Sequence, residues 1–215
     1  MTKLSSATEK ERERLYNRYY DTMTREDAKL CRLITQLESL FIDMCWEPHS
    51  IVSDFIDSDL ELHDVEPVEF YEDYALGLFS FKWRFYVKDY PNEDVIGLTK
   101  ARERTIEINR THKDNIPVIL HEMIHAHEII LEGLPSFYRD DVMLSLYIDL
   151  SKKIPDLYER IIHHANEPAA LALALSNGVH DVLFFLKSLD LDLKFGYPLG
   201  TVCGYGRDKF NKEVS

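Results

Sequence analysis

The chain of 215 residues has only three cysteines, Cys31, Cys45 and Cys203. They are too few and too scattered for a disulfide framework or a paired-cysteine zinc site. Reduced thiols in an intracellular compartment are therefore expected. The opening stretch, MTKLSSATEKERERLYNRYY, has no apolar core of the kind that marks a secretory signal. No run reaches the roughly 18 to 20 apolar residues needed to cross a bilayer. The nearest, DVLFFLKSLDLDL, is interrupted by Lys187 and Asp190. A cytoplasmic protein without a membrane partner is the expectation. An excess of positive charge is missing too: 25 Lys and Arg stand against 38 Asp and Glu, a formal net charge of −13. That argues against a nucleic-acid backbone as the main partner. The cluster KARER at 100–104 reads as a solvated loop. There is no internal repeat and no low-complexity tract. PLGTVCGYG lacks the Lys–Ser/Thr pair and the following helix of a phosphate-binding loop.

What is present is an ordinary globular balance, 45% hydrophobic and 29% charged, long enough for one domain spanning 1–215 with a sizeable core. Residues 1–23 form a charged, helical lead-in. Thr24 stands three before Asp27, a capping signal. Ala28, Cys31, Ile34, Leu37, Leu40, Phe41, Met44 and Cys45 then recur at helical spacing and predict a long amphipathic helix over 25–46. The middle changes period. Phe79, Phe81, Trp83, Phe85 and Val87 alternate with polar residues, which predicts a half-buried strand. VIGL at 95–98 and RTIEIN at 104–109 are further strands, so the part 24–133 holds a small, mainly antiparallel sheet. From 134 to 215 the chain reads as helical, with helices from 137, from Pro155, from Pro168 and from about 179, then a Gly-rich tail of loop or irregular strand. The order of helix, strands and helices makes the fold class α+β.

The stretch IPVILHEMIHAHEIILEG, residues 116–133, carries the chemistry. Asn115 is a suitable N-cap, Pro117 falls in the first turn and Gly133 follows the end, so a helix is predicted over 116–132. At about 100° per residue, Ile116, Ile119, Leu120, Met123, Ala126, Ile130 and Leu131 share one broad face. His121, His125 and Glu122 fall on the other side. Two histidines one turn apart have Cβ atoms roughly 5–6 Å apart, close enough for both rings to converge on one ion. Two neutral imidazoles suit Zn²⁺ and leave positions open. The ion brings the pKa of a bound water towards about 7, and Glu122, beside the pair, is angled to take that proton as general base. HExxH on a helix is a signature of this chemistry.

At these residues the chain resembles the zincin metallopeptidases, in particular the SprT-like and minimal gluzincin groups, over about residues 75–132. The resemblance implies a zinc-dependent peptidase of zincin-like fold, acting on a peptide or protein. It also implies that RTIEIN is the edge strand on which an extended substrate pairs, through Thr105, Ile106, Glu107 and Ile108. Two departures qualify it. A third histidine of the extended metzincin pattern would fall at 131, which is Leu131. The acidic charge argues against the DNA-linked substrates that SprT-like proteins suggest.

The third zinc ligand has to come from the chain after residue 137. His180, at the start of the most apolar helix, is the first choice, with Glu159 and then His164 behind it. The competing role for that region is capping, chiefly by Asp181, which also stands as a carboxylate behind a ligating histidine. Glu128 lies about 10 Å along the helix axis from His121 and is expected to face solvent or support a ligand. His127 is expected to be packed, with a hydrogen-bond partner. Tyr138, Tyr197 and Tyr205 are candidate oxyanion stabilisers. The leading reading is thus a zinc peptidase with Glu122 as base and His121, His125 and His180 as ligands. The alternatives are a zincin-fold binding or regulatory module with structural zinc, completed by His163, His164 or Asp181, and a metal-free helical domain with surface histidines.

Overall fold

The computed structural model describes residues 6–42, 77–78, 81–92, 94–133, 136–157 and 180–204. Among them the fold is α+β, with six helices and one small mixed sheet. No helix of the described residues is long and apolar enough to cross a membrane.

Two helices come first, α1 (Ser6–Thr22) and α2 (Arg25–Ile42). The capping signal between them is reciprocal. The Asp27 amide donates to Thr24 Oγ1 at 3.1 Å, and the Thr24 amide donates to Asp27 Oδ2 at 3.1 Å, which satisfies two groups the helix start leaves open. The four residues of the expected helix beyond Ile42 lie outside the described residues.

Three strands follow: β1 (Arg84–Lys88), β2 (Gly97–Lys100) and β3 (Thr105–Asn109). The first is shorter than the alternation predicts. Phe81 and Lys82 form a turn instead, and Lys82 has φ 59°. Phe79 and Ser80 lie outside the described residues. The sheet order is β1-β3-β2, with β1 parallel to β3 and β2 antiparallel to it. The expectation of a mainly antiparallel sheet is therefore corrected. The chain leaves β1, passes to the far side, and returns through the hairpin turn 101–104 to place β3 in the middle. KARER supplies that turn.

The same order overturns the substrate-strand assignment. Thr105, Ile106, Glu107 and Ile108 are buried in the central strand, whose backbone is paired on both sides. The outer edge of β1 is closed as well. The Val87 amide donates to Asp27 Oδ1 at 2.8 Å and the Phe85 carbonyl accepts from Tyr19 Oη at 2.7 Å. Among the described residues, β2 is the edge that remains open. Its Ile96 neighbour accepts the Asn109 amide at 2.9 Å, so by alternation Gly97 and Thr99 turn their backbone groups outward.

Glu107 explains why β3 reads as an edge. A carboxylate in a strand suggests a wet face, yet Glu107 is 3% exposed. Lys88 Nζ at 2.7 Å, Lys100 Nζ at 2.9 Å and the Tyr90 hydroxyl all donate to it. Burial raises its pKa, and these donors more than offset that and hold it below the usual carboxylate range.

The other sheet face, with Phe85, Ile106 and Ile108, packs under α3 (Ile116–Glu132). The Asn115 side chain accepts from the Val118 amide and Pro117 sits in the first turn, as expected. Gly133 keeps a right-handed φ of −76°, so this end does not draw on the conformations special to glycine. A helix with eleven buried residues is a central element rather than an amphipathic one. Next come α4 (Ser136–Ser151), α5 (Val182–Phe195) and α6 (Thr201–Gly204). α5 crosses α3 and α4, and α6 packs on both α3 and α5. The tail read as loop or irregular strand thus contains a helical turn. The helices expected from Pro155 and Pro168, with Glu159, His163 and His164, lie outside the described residues apart from 155–157.

Candidate metal centre

α3 and the start of α5 bring His121, His125 and His180 together. One ligand-capable nitrogen from each lies within 4.8 Å of the others. Three imidazoles bound tetrahedrally at 2.0–2.1 Å would hold their nitrogens about 3.3 Å apart, so a small closure completes the set. Among the described residues, His180 is the candidate third ligand found there, and Glu159 and His164 lie outside them. Asp181 does the capping instead. Its Oδ1 accepts from the Phe184 amide at 3.0 Å, and its other oxygen pairs with Arg139. The two roles expected of this segment fall on adjacent residues.

The ring orientations suit a metal. His121 Nδ1 lies 3.0 Å from the Val202 carbonyl. A carbonyl only accepts, so Nδ1 carries the proton and Nε2 keeps its lone pair. That Nε2 lies 3.2 Å from His180 Nε2, so without an ion His180 donates to it. His125 Nδ1 lies 3.3 Å from Glu128 Oε2, a carboxylate–histidine arrangement found behind many metal ligands. Glu128 therefore pairs with His125 rather than facing solvent. Phe184, fully buried, stands behind all three rings, with centroid distances of 4.7, 4.6 and 4.3 Å to His121, His125 and His180.

Burial sets the charge states. It pushes His121 down to about 3, helped by the neighbouring His125, and His125 down to about 4, helped by His180. His180 is the exposed member, and the burial it has lowers its pKa too. All three are neutral at pH 7, the form that binds metal. Burial lifts Glu128 to about 8, although Arg139 draws it down.

Glu122 is 3% exposed and, among the described residues, belongs to no ligand set. Thr99 Oγ1 donates to its Oε2 at 2.7 Å. Gly97 makes room for it: a Cβ at that position would lie 2.7 Å from Oε1 and 2.8 Å from Cγ. Gly97→Ala is expected to destabilise the chain by about 1–3 kcal/mol through overpacking, read as a lower urea midpoint at unchanged m. An unchanged midpoint would mean that Glu122 moves aside freely.

His127 is packed, edge-on to Phe41 at 5.5 Å between centroids. Its Nδ1 is buried without a hydrogen-bond partner among the described residues, so the expected partner is absent there. Tyr197 stacks on Phe195 at 5.3 Å. The Tyr138 side chain and Tyr205 lie outside the described residues. Reasoning from sequence did not find Gly97, Thr99, Phe184 or Val202. Only Gly97, inside a strand signal, carries a recognised hint of close approach.

These shifts predict an unusual pH profile for the metal-free chain. His121, His125 and His127, the last pushed down to about 3 by burial, are depressed in the folded state. Below about 6.5 the unfolded chain gains protons at these positions that the folded chain refuses, so they lower stability as pH falls. Glu128 and Glu38, the latter lifted by burial to about 7, act the other way. The folded chain holds protons there that the unfolded chain has released, so stability falls as pH rises from about 4.5 through 8. At pH 6.5 the unfolded histidines are still half protonated, so their gain on the way to pH 8 offsets about half of the second effect. Stability in urea with chelator present is expected to fall by about 1 kcal/mol between pH 6.5 and 8. A rise over that range contradicts the assignment.

No protein-family model, curated protein or solved structure matches this chain.

Proposed function

We propose that the protein is a zinc-dependent peptidase of zincin type, with His121, His125 and His180 as ligands and Glu122 as general base. The observation that carries this reading is the convergence of three neutral imidazoles beside a buried carboxylate that is not one of them. A structural site uses four protein ligands, whereas a catalytic site keeps one position open. A zinc ion held at these nitrogens would supply Lewis acidity towards a peptide carbonyl and a water. Glu122 would accept a proton from that water as its oxygen adds to the carbonyl carbon, and pass the proton to the amine that leaves as the C–N bond breaks, while Thr99 steadies its carboxylate. The substrate is an extended peptide or protein segment. The outward backbone groups of Gly97 and Thr99 on β2 are suited to pair with it, which moves the docking edge from β3 to β2.

The alternative, a zincin-fold binding or regulatory module with structural zinc, is favoured by one observation. Glu122 is almost fully buried and one oxygen already accepts from Thr99. Two measurements on the purified chain test the proposal together: its zinc content and its cleavage of a peptide library. One zinc per chain with cleavage supports it. One zinc without cleavage of any peptide favours the alternative. A zinc content near zero, after purification without chelator, removes both and favours a metal-free helical domain.

A further inference from the structure

The end of α5 folds back on itself. Gly196 and Gly200 both have positive φ, 68° and 89°, a region that glycine enters without steric cost. The chain between them reverses and delivers α6 to the metal centre. α6 has four residues, too few to persist on its own hydrogen bonds, and the amides at its start have no acceptor within it. Asp192 supplies acceptors from α5. Its side chain is fully buried. Oδ2 accepts from the Gly200 amide at 2.6 Å and Oδ1 from the Val202 amide at 2.9 Å. Its backbone carbonyl accepts from the Tyr197 amide at 2.8 Å. Val202 is also the residue whose carbonyl receives His121 Nδ1.

We propose that Asp192 is a positioning residue for the metal centre, fixing the backbone at Val202 from its amide side so that the carbonyl on the other side of the same Cα holds His121 in the Nδ1–H tautomer with Nε2 free. It acts through the Val202 backbone, from the amide across Cα to the carbonyl, touching neither metal nor substrate. A buried carboxylate is costly unless its hydrogen bonds are satisfied, and both oxygens of Asp192 are spent on this one turn. Burial lifts its pKa to about 6, and the amides of Val202, Gly200 and Thr201 pull it back, which ties its charged form to that turn. The inference rests on reading His121 as a ligand.

The test reads the ring nitrogens of His121 by ¹⁵N NMR in the metal-free, full-length chain, with zinc affinity measured separately. Wild type is expected to show Nδ1–H at His121. In Asp192→Asn one amide keeps an oxygen acceptor and the other meets an NH₂ group. His121 is then expected to become a mixture of tautomers, with zinc Kd weakened about 10–100-fold and the His125 ring unaffected. A folded Asp192→Asn chain with His121 and zinc affinity unchanged, even at lower Tm, overturns the proposal. If that variant does not fold, the unaltered chain decides. The Gly200 and Val202 amides should exchange with solvent as slowly as amides in mid-α5. Rapid exchange at both, with His121 still Nδ1–H, overturns it. Because the tautomer is read without metal, its dependence on Asp192 stands even if zinc does not bind. Conversely, stoichiometric zinc with an indifferent His121 removes the positioning role alone.

Discussion

Glu122→Gln is expected to reduce peptide hydrolysis by about 10²–10⁴-fold, the usual range for a positioned general base, while zinc content stays at one per chain. The two side chains have nearly the same shape. Glutamine keeps an oxygen that accepts from Thr99, whose hydroxyl now donates to the carboxylate at 2.7 Å, and it fills the same space against Gly97. It offers no basic oxygen to receive a proton. The three imidazoles are untouched, so metal binding persists and the loss appears in kcat rather than in stoichiometry. Equal rates for wild type and Glu122→Gln would remove Glu122 as base. Loss of zinc in the variant would instead make Glu122 a ligand, closing the site and favouring the structural reading.

What was legible in the sequence is what depends on neighbours along the chain. Helix α3 runs Ile116–Glu132 with Asn115 as its cap, the bounds that the apolar spacing and the capping residues predict. His121 and His125 face one site because four residues make roughly one turn. His180 ranks ahead of Glu159 and His164 because a polar pair at the head of an apolar helix is costly to bury unless satisfied. What was not legible depends on pairing across the chain. β3 carries the alternation of an edge strand because Glu107 interrupts its apolar residues. The lysines and the tyrosine that neutralise it come from β1, the following loop and β2, and no local pattern announces that they will meet. Which strand lies in the middle is decided by that meeting and by the closure of β1 through Asp27 and Tyr19. Glu128 was judged by its distance from His121, whereas its partner is His125, three residues away on the same face. Val202 sits in a Gly-rich tail whose composition suggests a loop, and its importance lies in a backbone carbonyl that side-chain reading does not see.

Zinc is expected to stabilise the folded chain strongly, and His180→Ala is expected to remove most of that effect. The three nitrogens converge only when α3 and the head of α5 are in place, so the ion binds the folded state and not the unfolded one. At free zinc about 100-fold above Kd the gain is about 2.7 kcal/mol. For a chain of this length that is a rise in Tm of about 5–11 °C over the chelated protein. His180 is the exposed member of the trio and stands just before the cap of a separate helix, α5. Its loss leaves the α3 pair intact and the α3 core undisturbed, so the metal-free Tm should change little. Zinc affinity should fall by more than the roughly 100-fold that altering a supporting group costs, and the zinc-induced rise in Tm should shrink to near zero at the same zinc concentration. The comparison between metal-free and zinc-loaded melts separates a ligand from a structural residue. A structural residue lowers both melts together, whereas a ligand lowers only the second. If His180→Ala keeps the full zinc-induced rise, the third ligand lies elsewhere in the chain and the site is not closed across α3 and α5.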